Sequence, residues 1–228
     1  MFNTIAGRYD FLNRLLSLRI DVLWRRKAVK MVKQYAPSHI LDVGTGTGDF
    51  AIELARLFPQ KITGIDIAMA MLDIGRKKIK QKKLESVIEF VEADCEKLPF
   101  PDNAFQLAAS AFGVRNFEDL EKGLSELLRV LKTDGRILIL ECSDPGNMPF
   151  KSLYKAYMNT ICPAIGGIFS ENKAYSYLNR SVSAFPTGKA FVEILQKVGF
   201  CEVQFKPLSM GIASIYIAKK PALQNKIL

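Results

Sequence analysis

Leu41-Asp42-Val43-Gly44-Thr45-Gly46-Thr47-Gly48 is the stretch on which the reading of this chain turns. A short β-rich run, residues 39–43, leads straight into the glycine-rich turn, and a helical pattern over residues 49–58 follows at once. Glycines at a strand-to-helix turn permit positive φ and let a ligand approach backbone that a Cβ would otherwise shield. The spacing here is GxGxG, whereas a pyrophosphate-binding turn has GxGxxG, so a donor without a pyrophosphate is favoured over a nicotinamide cofactor. Asp66 ends the second strand about twenty residues on, where a carboxylate can accept hydrogen bonds from both hydroxyls of a ribose. After the third strand comes Glu92-Ala93-Asp94-Cys95, then Leu98-Pro99-Phe100, which offers a polar side chain to an adenine amino group and apolar neighbours to its ring. Asp66 or Asp94 alone reads as a helix-cap or turn aspartate. Together with the turn they point to S-adenosylmethionine, and a nicotinamide enzyme remains the competing reading.

Outward from the turn, short β-rich runs alternate with periodic helical segments, the pattern of a mostly parallel sheet covered on both faces. Strands are expected at residues 61–65, 87–92, 105–111 and 136–141, and helices at 68–82, 119–131 and 187–198. Two closing runs, 202–207 and 213–218, joined by 208–212, suit an antiparallel hairpin at the sheet edge. The expected fold class is α/β: a doubly wound, Rossmann-like class I S-adenosylmethionine-dependent methyltransferase with a seven-stranded sheet. Residues 1–220 read as one domain, with an N-terminal helical segment (1–36), a Tyr-, Phe-, Met-, Pro- and Gly-rich lid or substrate insertion (145–186), and a flexible tail (221–228).

The 228 residues carry 32 Lys and Arg against 23 Asp and Glu, a formal charge of +9. Such an excess attracts nucleic acid, anionic lipid or acidic ligands without selecting among them. It gathers in the first helical stretch (Arg8, Arg14, Arg19, Arg25, Arg26, Lys27), in residues 76–83, and in the tail (Lys219, Lys220, Lys226). The aromatic residues sit mainly in the insertion and are not interleaved with these runs, so a nucleic-acid partner is not expected. No apolar run is long enough to span a bilayer and the N-terminus lacks a signal-peptide pattern, so a cytoplasmic protein is expected. Cys95, Cys142, Cys162 and Cys201 lack paired spacing, and reduced thiols without a metal site are expected.

Ordered motifs along the whole chain carry a resemblance. Met1-Phe2-Asn3-Thr4-Ile5-Ala6-Gly7-Arg8-Tyr9-Asp10-Phe11-Leu12-Asn13 with Leu16-Ser17-Leu18 comes first, then Leu98-Pro99-Phe100-Pro101-Asp102-Asn103 and Phe112-Gly113-Val114-Arg115-Asn116. Arg129-Val130-Leu131-Lys132, Leu140-Glu141-Cys142-Ser143-Asp144-Pro145, Tyr177-Leu178, and Phe185-Pro186-Thr187-Gly188 complete the set. From Met1 to about Lys219 the chain resembles the ubiquinone/menaquinone methyltransferase family, the quinol C-methyltransferases. The resemblance implies cofactor contacts by Thr45, Asp66, Asp94 and Cys95 within the turn carrying Gly44 and Gly46, with Ser110-Ala111 closing the pocket. Departures from the family pattern are Asp94 for Asn, Ala111 for Ser or Gly, Lys132-Thr133-Asp134-Gly135 for Lys-Pro-Gly-Gly, and Asn179-Arg180-Ser181 for Pro-Glu-Ser. The last removes a lid glutamate. The chain opens inside the first motif, so a short leading segment is expected to be missing.

What the resemblance implies is methylation of a prenylated quinol, demethylmenaquinol first and a benzoquinol of ubiquinone biosynthesis as the alternative. A ring carbon attacks a sulfonium methyl well only when a ring hydroxyl has lost its proton, and a dry pocket favours this mutual cancellation of charge. The one histidine, His39, opens the first strand at the end remote from the glycine turn and reads as structural. Arg115 stays protonated, so its expected role is to hold a water or forming phenolate, with Asn116 orienting a ring oxygen and Tyr9 approaching from the N-terminal segment. A surface ion pair is the other reading of Arg115. Tyr154, Tyr157, Met158, Ile161, Ile165, Ile168 and Phe169 suit either a prenyl tail or ordinary packing. A substrate that lives in lipid implies peripheral contact of the basic N-terminal helix with an anionic membrane, and a homodimer is compatible with the sequence. Rival readings are an RNA or protein methyltransferase, a metal-dependent catechol O-methyltransferase, which the missing His/Asp/Glu cluster disfavours, and a non-catalytic quinol-binding scaffold.

Overall fold

Strand β1 (His39–Val43) is buried along its last four residues, as a strand covered on both faces must be, and the whole sheet is arranged about it. In the computed structural model, which describes residues 7, 10, 11, 14, 17–143, 145, 177 and 180–222, seven strands pair in the order β3-β2-β1-β4-β5-β7-β6. They are β1, β2 (Lys61–Asp66), β3 (Ile88–Glu92), β4 (Phe105–Ala111), β5 (Leu131–Cys142), β6 (Cys201–Leu208) and β7 (Ala213–Lys219). The first five run parallel, and β7 returns antiparallel between β5 and the edge strand β6. This is a class I methyltransferase sheet with its closing hairpin at one edge.

Described helices are α1 (Ile20–Val32), α2 (Asp49–Leu54), α3 (Met69–Gln81), α4 (Leu120–Val130) and α5 (Lys189–Val198). One apolar cluster joins α1 and α2 to the sheet through Ala28, Val32, Phe50, Leu54 and Ile40. A second joins α4 and α5 through Leu124, Leu127, Phe191 and Leu195 to Leu41, Val43 and Ile139. Because consecutive strand residues face opposite sides, Ile40 and Leu41 serve different clusters.

Several boundaries differ from the sequence reading, each for a local reason. The helix expected over 49–58 ends at Leu54, tightens into a 3₁₀ turn at Ala55–Leu57, and stops at Phe58 with φ 55°. Helix α4 begins after Asp119, whose carboxylate caps it by accepting the Lys122 N–H at 3.0 Å. The β5 strand starts five residues before the expected Arg136: Leu131 pairs with Phe105, and a register shift before Leu107 absorbs the left-handed Asp134 (φ 64°). Helix α5 starts at Lys189 because Gly188, at φ 62°, takes the capping position and donates its N–H to the Tyr216 hydroxyl at 2.8 Å. His39 lies at the opposite end of β1 from the glycine turn, its backbone N–H donating to the Gln106 side chain at 2.8 Å. Much of the predicted insertion, with Tyr154, Tyr157, Met158, Ile161, Ile165, Ile168 and Phe169, lies outside the described residues, as does Tyr9.

Candidate functional site

Parallel strands deliver their C-terminal ends to one edge, and the crevice there, where the order turns from β1 to β4, is the natural ligand position of an open α/β sheet. Gly44, Gly46 and Gly48 all carry positive φ (65°, 54° and 80°). The turn is fixed from outside: the Thr45 N–H donates to the Ile65 carbonyl and the Gly46 N–H to Asp66 Oδ2, both at 2.9 Å. Asp66 Oδ1 accepts the Ala68 N–H at 2.9 Å, so one carboxylate ties the glycine turn to the start of α3. Close packing accompanies this, since a Cβ on Gly64 would stand 2.7 Å from the Phe90 ring and 2.9 Å from Thr45 Oγ1.

Burial raises the pKa of Asp66, against the backbone hydrogen bonds from Ala68 and Gly46. Asp42 lies beneath the turn, wholly buried, and accepts the Thr45 hydroxyl at 2.6 Å. Burial pushes its carboxyl up to about 7, outweighing the Thr45 hydrogen bond. The sign of the consequence is fixed. As pH rises from the ordinary aspartate value toward 7, the unfolded chain releases this proton while the folded chain keeps it, and stability falls. Asp42→Asn removes that loss and keeps an acceptor for Thr45. Its urea midpoint should exceed that of the parent protein at about pH 8 and approach it at about pH 4.

The crevice is a cavity of about 730 Å³ whose lining the strand order sorts into two compartments, one at the ends of β1, β2 and β3 and one beside β4, β5 and β7. On one side lie Gly44, Thr45, Gly46, Asp66, Ile67, Met71, Asp94 and Cys95. Asp94 is exposed and its Oδ1 accepts the Glu96 N–H at 2.8 Å, so the turn-aspartate reading also describes it. The Cys95 thiol is pushed up to about 12 by burial and by Asp94 and Glu96, and at neutral pH it is an uncharged wall. Acceptors for a ribose, a polar edge and apolar faces for a purine, and open space over Gly46, where a Cβ would meet nothing, fit an adenosine group.

The other compartment is lined by Ser17, Asp21, Trp24, Arg25, Phe112, Arg115, Asn116, Cys142, Met210 and Ile212, with Ala111 at the junction. Arg115 and Asn116 enter from the 3₁₀ turn Val114–Asn116 that follows β4. Arg115 is not a surface ion pair. Its Nη1 donates to Glu141 Oε1 and to the Phe112 carbonyl, both at 2.6 Å, with the two side chains 8% and 1% exposed. Asn116 Oδ1 accepts the Tyr177 hydroxyl at 3.1 Å.

Polar groups that sequence reading did not single out surround the same mouth. Lys78 donates to Thr47 Oγ1 at 2.7 Å and to Asp49 Oδ1 at 2.5 Å, and pairs with Asp10 Oδ2 at 2.5 Å. The Thr47 hydroxyl donates to Asp10 Oδ1 at 2.6 Å, and Arg14 reaches Asp49 at 3.2 Å. Burial works against the Asp49 charge, but Lys78 more than offsets it and leaves the carboxyl below its usual range. Asp10 and Arg14 are thereby tied to Thr47, Asp49 and Lys78 beside the glycine turn. Ser17, in the turn before α1, and Asp21 and Arg25, one turn apart on α1, form a second cluster. Among the described residues, no group of three or more His, Cys, Asp or Glu is placed to hold a metal ion.

Residues 1–220 match the ubiE/COQ5 methyltransferase family. The chain belongs to that family. Among ubiE/COQ5 relatives, a demethylmenaquinone methyltransferase of Bacteroides fragilis is 46% identical over 222 residues, which are 96% of this chain and 91% of that protein. A ubiquinone/menaquinone biosynthesis C-methyltransferase of Geotalea daltonii is 47% identical over 223 residues, 96% of this chain and 94% of its own. A crystal structure of a putative S-adenosylmethionine-dependent methyltransferase of Methanococcus maripaludis superposes with a TM-score of 0.68 at 21% identity, covering 99% of this chain and 96% of that one. That likeness concerns the fold, and the family assignment rests on the sequence matches.

Proposed function

We propose that this ubiE/COQ5 member transfers a methyl group from S-adenosylmethionine to a ring carbon of a prenylated quinol, demethylmenaquinol in the first instance. One observation carries the reading: a single cavity joins the Gly44–Gly46–Asp66 cradle to a largely apolar compartment walled by Trp24, Phe112, Cys142, Met210 and Ile212. The relatives named for menaquinone biosynthesis agree with it.

Asp66 holds the ribose hydroxyls, and Asp94 and Cys95 flank the adenine. Bound there, S-adenosylmethionine supplies an electrophilic methyl on a sulfonium centre. The chain's own residues exclude water and fix the ring: Trp24 and Phe112, with ring centroids 6.3 Å apart, form one wall. Asn116 directs a ring oxygen, while Arg115, held by Glu141, keeps the loop after β4 in place. The lid expected over residues 145–186 and the approach expected of Tyr9 fall mostly on residues outside those described. Presented with equal amounts of reduced naphthoquinol and benzoquinol acceptors and a labelled methyl donor, the protein should place most label on the naphthoquinol. Label confined to the benzoquinol would move the assignment to ubiquinone biosynthesis, and label on neither would end it.

The substrate's tail implies a lipid-facing surface, and no described helix is long and apolar enough to cross a membrane. Leu18, which lines the cavity, and Leu23 stand 73% and 59% exposed, close in sequence to the exposed Arg19, Arg26 and Lys27. Arg14 and Arg25, counted with the basic helix in the sequence, are held at 3.2 Å and 2.6 Å by Asp49 and Asp21, whereas Arg26 meets Glu53 only at 4.0 Å and stays 56% exposed. Peripheral contact with the cytoplasmic face of an anionic membrane therefore rests on the first three cations, each contributing about 1 kcal/mol near such a surface. Reversal of Arg19, Arg26 and Lys27 to glutamate should abolish low-salt co-sedimentation with phosphatidylglycerol vesicles and spare turnover of a short-tailed acceptor.

A further inference from the structure

The proposed reaction needs a proton acceptor, and the roles given above to Arg115, Asn116 and Tyr9 supply none, since guanidinium stays protonated. On the glycine-turn side Asp66 accepts two backbone N–H groups, Asp49 and Asp10 pair with Lys78, and Asp94 accepts the Glu96 N–H from an exposed position on the adenine side. Asp21 is the carboxylate among the lining residues named beside Phe112. It lies in the first turn of α1, is 4% exposed, and lines the cavity. Its Oδ1 accepts the Ser17 hydroxyl at 2.5 Å and its Oδ2 accepts Arg25 Nη1 at 2.6 Å. Each oxygen keeps a further acceptor site, because a carboxylate offers about four. The Arg25 guanidinium stands 5.6 Å over the Phe112 ring, and its charge also acts on Asp42 and Asp49 under the glycine turn. The Ser17–Asp21–Arg25 cluster therefore lines the compartment beside Phe112.

We infer that Asp21 is the proton acceptor for the quinol hydroxyl, with Ser17 and Arg25 as its positioning residues. The inference rests on the quinol reading above. The quinol O–H bond breaks as an Asp21 O–H bond forms, and the resulting phenolate replaces the aspartate as the counter-ion of Arg25. The charge of the cluster is unchanged by this exchange, so a dry site does not oppose it. The activated ring then forms its carbon–methyl bond as the methyl–sulfur bond breaks. Loss of the ring C–H proton to water restores aromaticity, Asp21 returns its proton to the ring oxygen, and one proton is released per turnover.

Turnover of reduced naphthoquinol by the full chain, followed with a labelled methyl donor between pH 6.5 and about 9.5, tests the assignment. Asp21→Asn should cut kcat by about 100-fold at neutral pH, and the deficit should shrink as pH climbs toward the ionisation of a free phenol near about 10. KM for the methyl donor should be unchanged, and Asp21→Glu should recover part of the rate. Parental kcat in Asp21→Asn, or a deficit constant across the whole pH range, would overturn the role. Should Asp21→Asn fail to fold, Ser17→Ala carries the test: a loss that shrinks with pH supports the relay, and a parental profile overturns it. Absence of turnover by the parent protein would instead refute the quinol reading itself.

Discussion

Arg115→Ala should lower folding stability by about 3–5 kcal/mol as well as abolish most turnover, because it strands a buried carboxylate. Glu141 is 1% exposed on β5 and accepts the Arg115 guanidinium at 2.6 Å, the Arg115 backbone N–H at 3.2 Å and the Cys142 N–H at 2.8 Å. The same guanidinium nitrogen holds the Phe112 carbonyl, so its loss also frees the loop that shapes the ring compartment. From sequence alone Arg115→Ala would be read as a turnover variant with an intact fold. The buried pair changes that expectation. Removing both charges with residues of similar volume, Arg115→Met with Glu141→Leu, should bring the urea midpoint back near the parent, since such pairs barely repay their desolvation. Turnover should stay low in the double variant, because Asn116 and Phe112 would no longer be held in register.

Asp66→Ala is expected to weaken S-adenosylmethionine binding by about 3 kcal/mol, on the order of 100-fold, from the loss of two hydrogen bonds to a charged acceptor. The carboxylate also anchors the Gly46 and Ala68 N–H groups, so part of the loss comes from a loosened turn. Stability without ligand should change little by comparison, since burial already disfavours the Asp66 charge. Calorimetric titration with the methyl donor, paired with a urea melt, separates the two effects.

The succession of strands along the chain and the position of the glycine turn were readable because they depend on local pattern: an apolar run, a GxGxG turn, an amphipathic helix. Asp66 at the end of β2 and Asp94 just after β3 were singled out from their positions and Cys95 from the family resemblance, and the fold sets all three against one cavity. Tertiary pairings were not. Nothing near Arg115 in the sequence announces Glu141, twenty-six residues on, and only the parallel register of β4 with β5 brings the two together. Lys78 looked like one cation in a solvated run, yet the fold sets it against Asp10 and Asp49. Local boundaries slipped where left-handed residues such as Phe58 and Asp134 ended or bent an element, a conformation whose signal is weak outside glycine. The Ser17–Asp21–Arg25 cluster was not read from the sequence, because left-handed Leu18 and Arg19 separate Ser17 from α1 and only the fold brings its hydroxyl onto Asp21.

The most direct measurement supplies the protein with a tritiated methyl donor and one prenylated naphthoquinone, first reduced and then oxidised, under otherwise equal conditions. A pocket that brings a sulfonium methyl to an electron-rich ring must label a ring carbon of the reduced acceptor and leave the quinone unlabelled. Equal labelling of both forms, or tritium recovered on oxygen, would contradict the account.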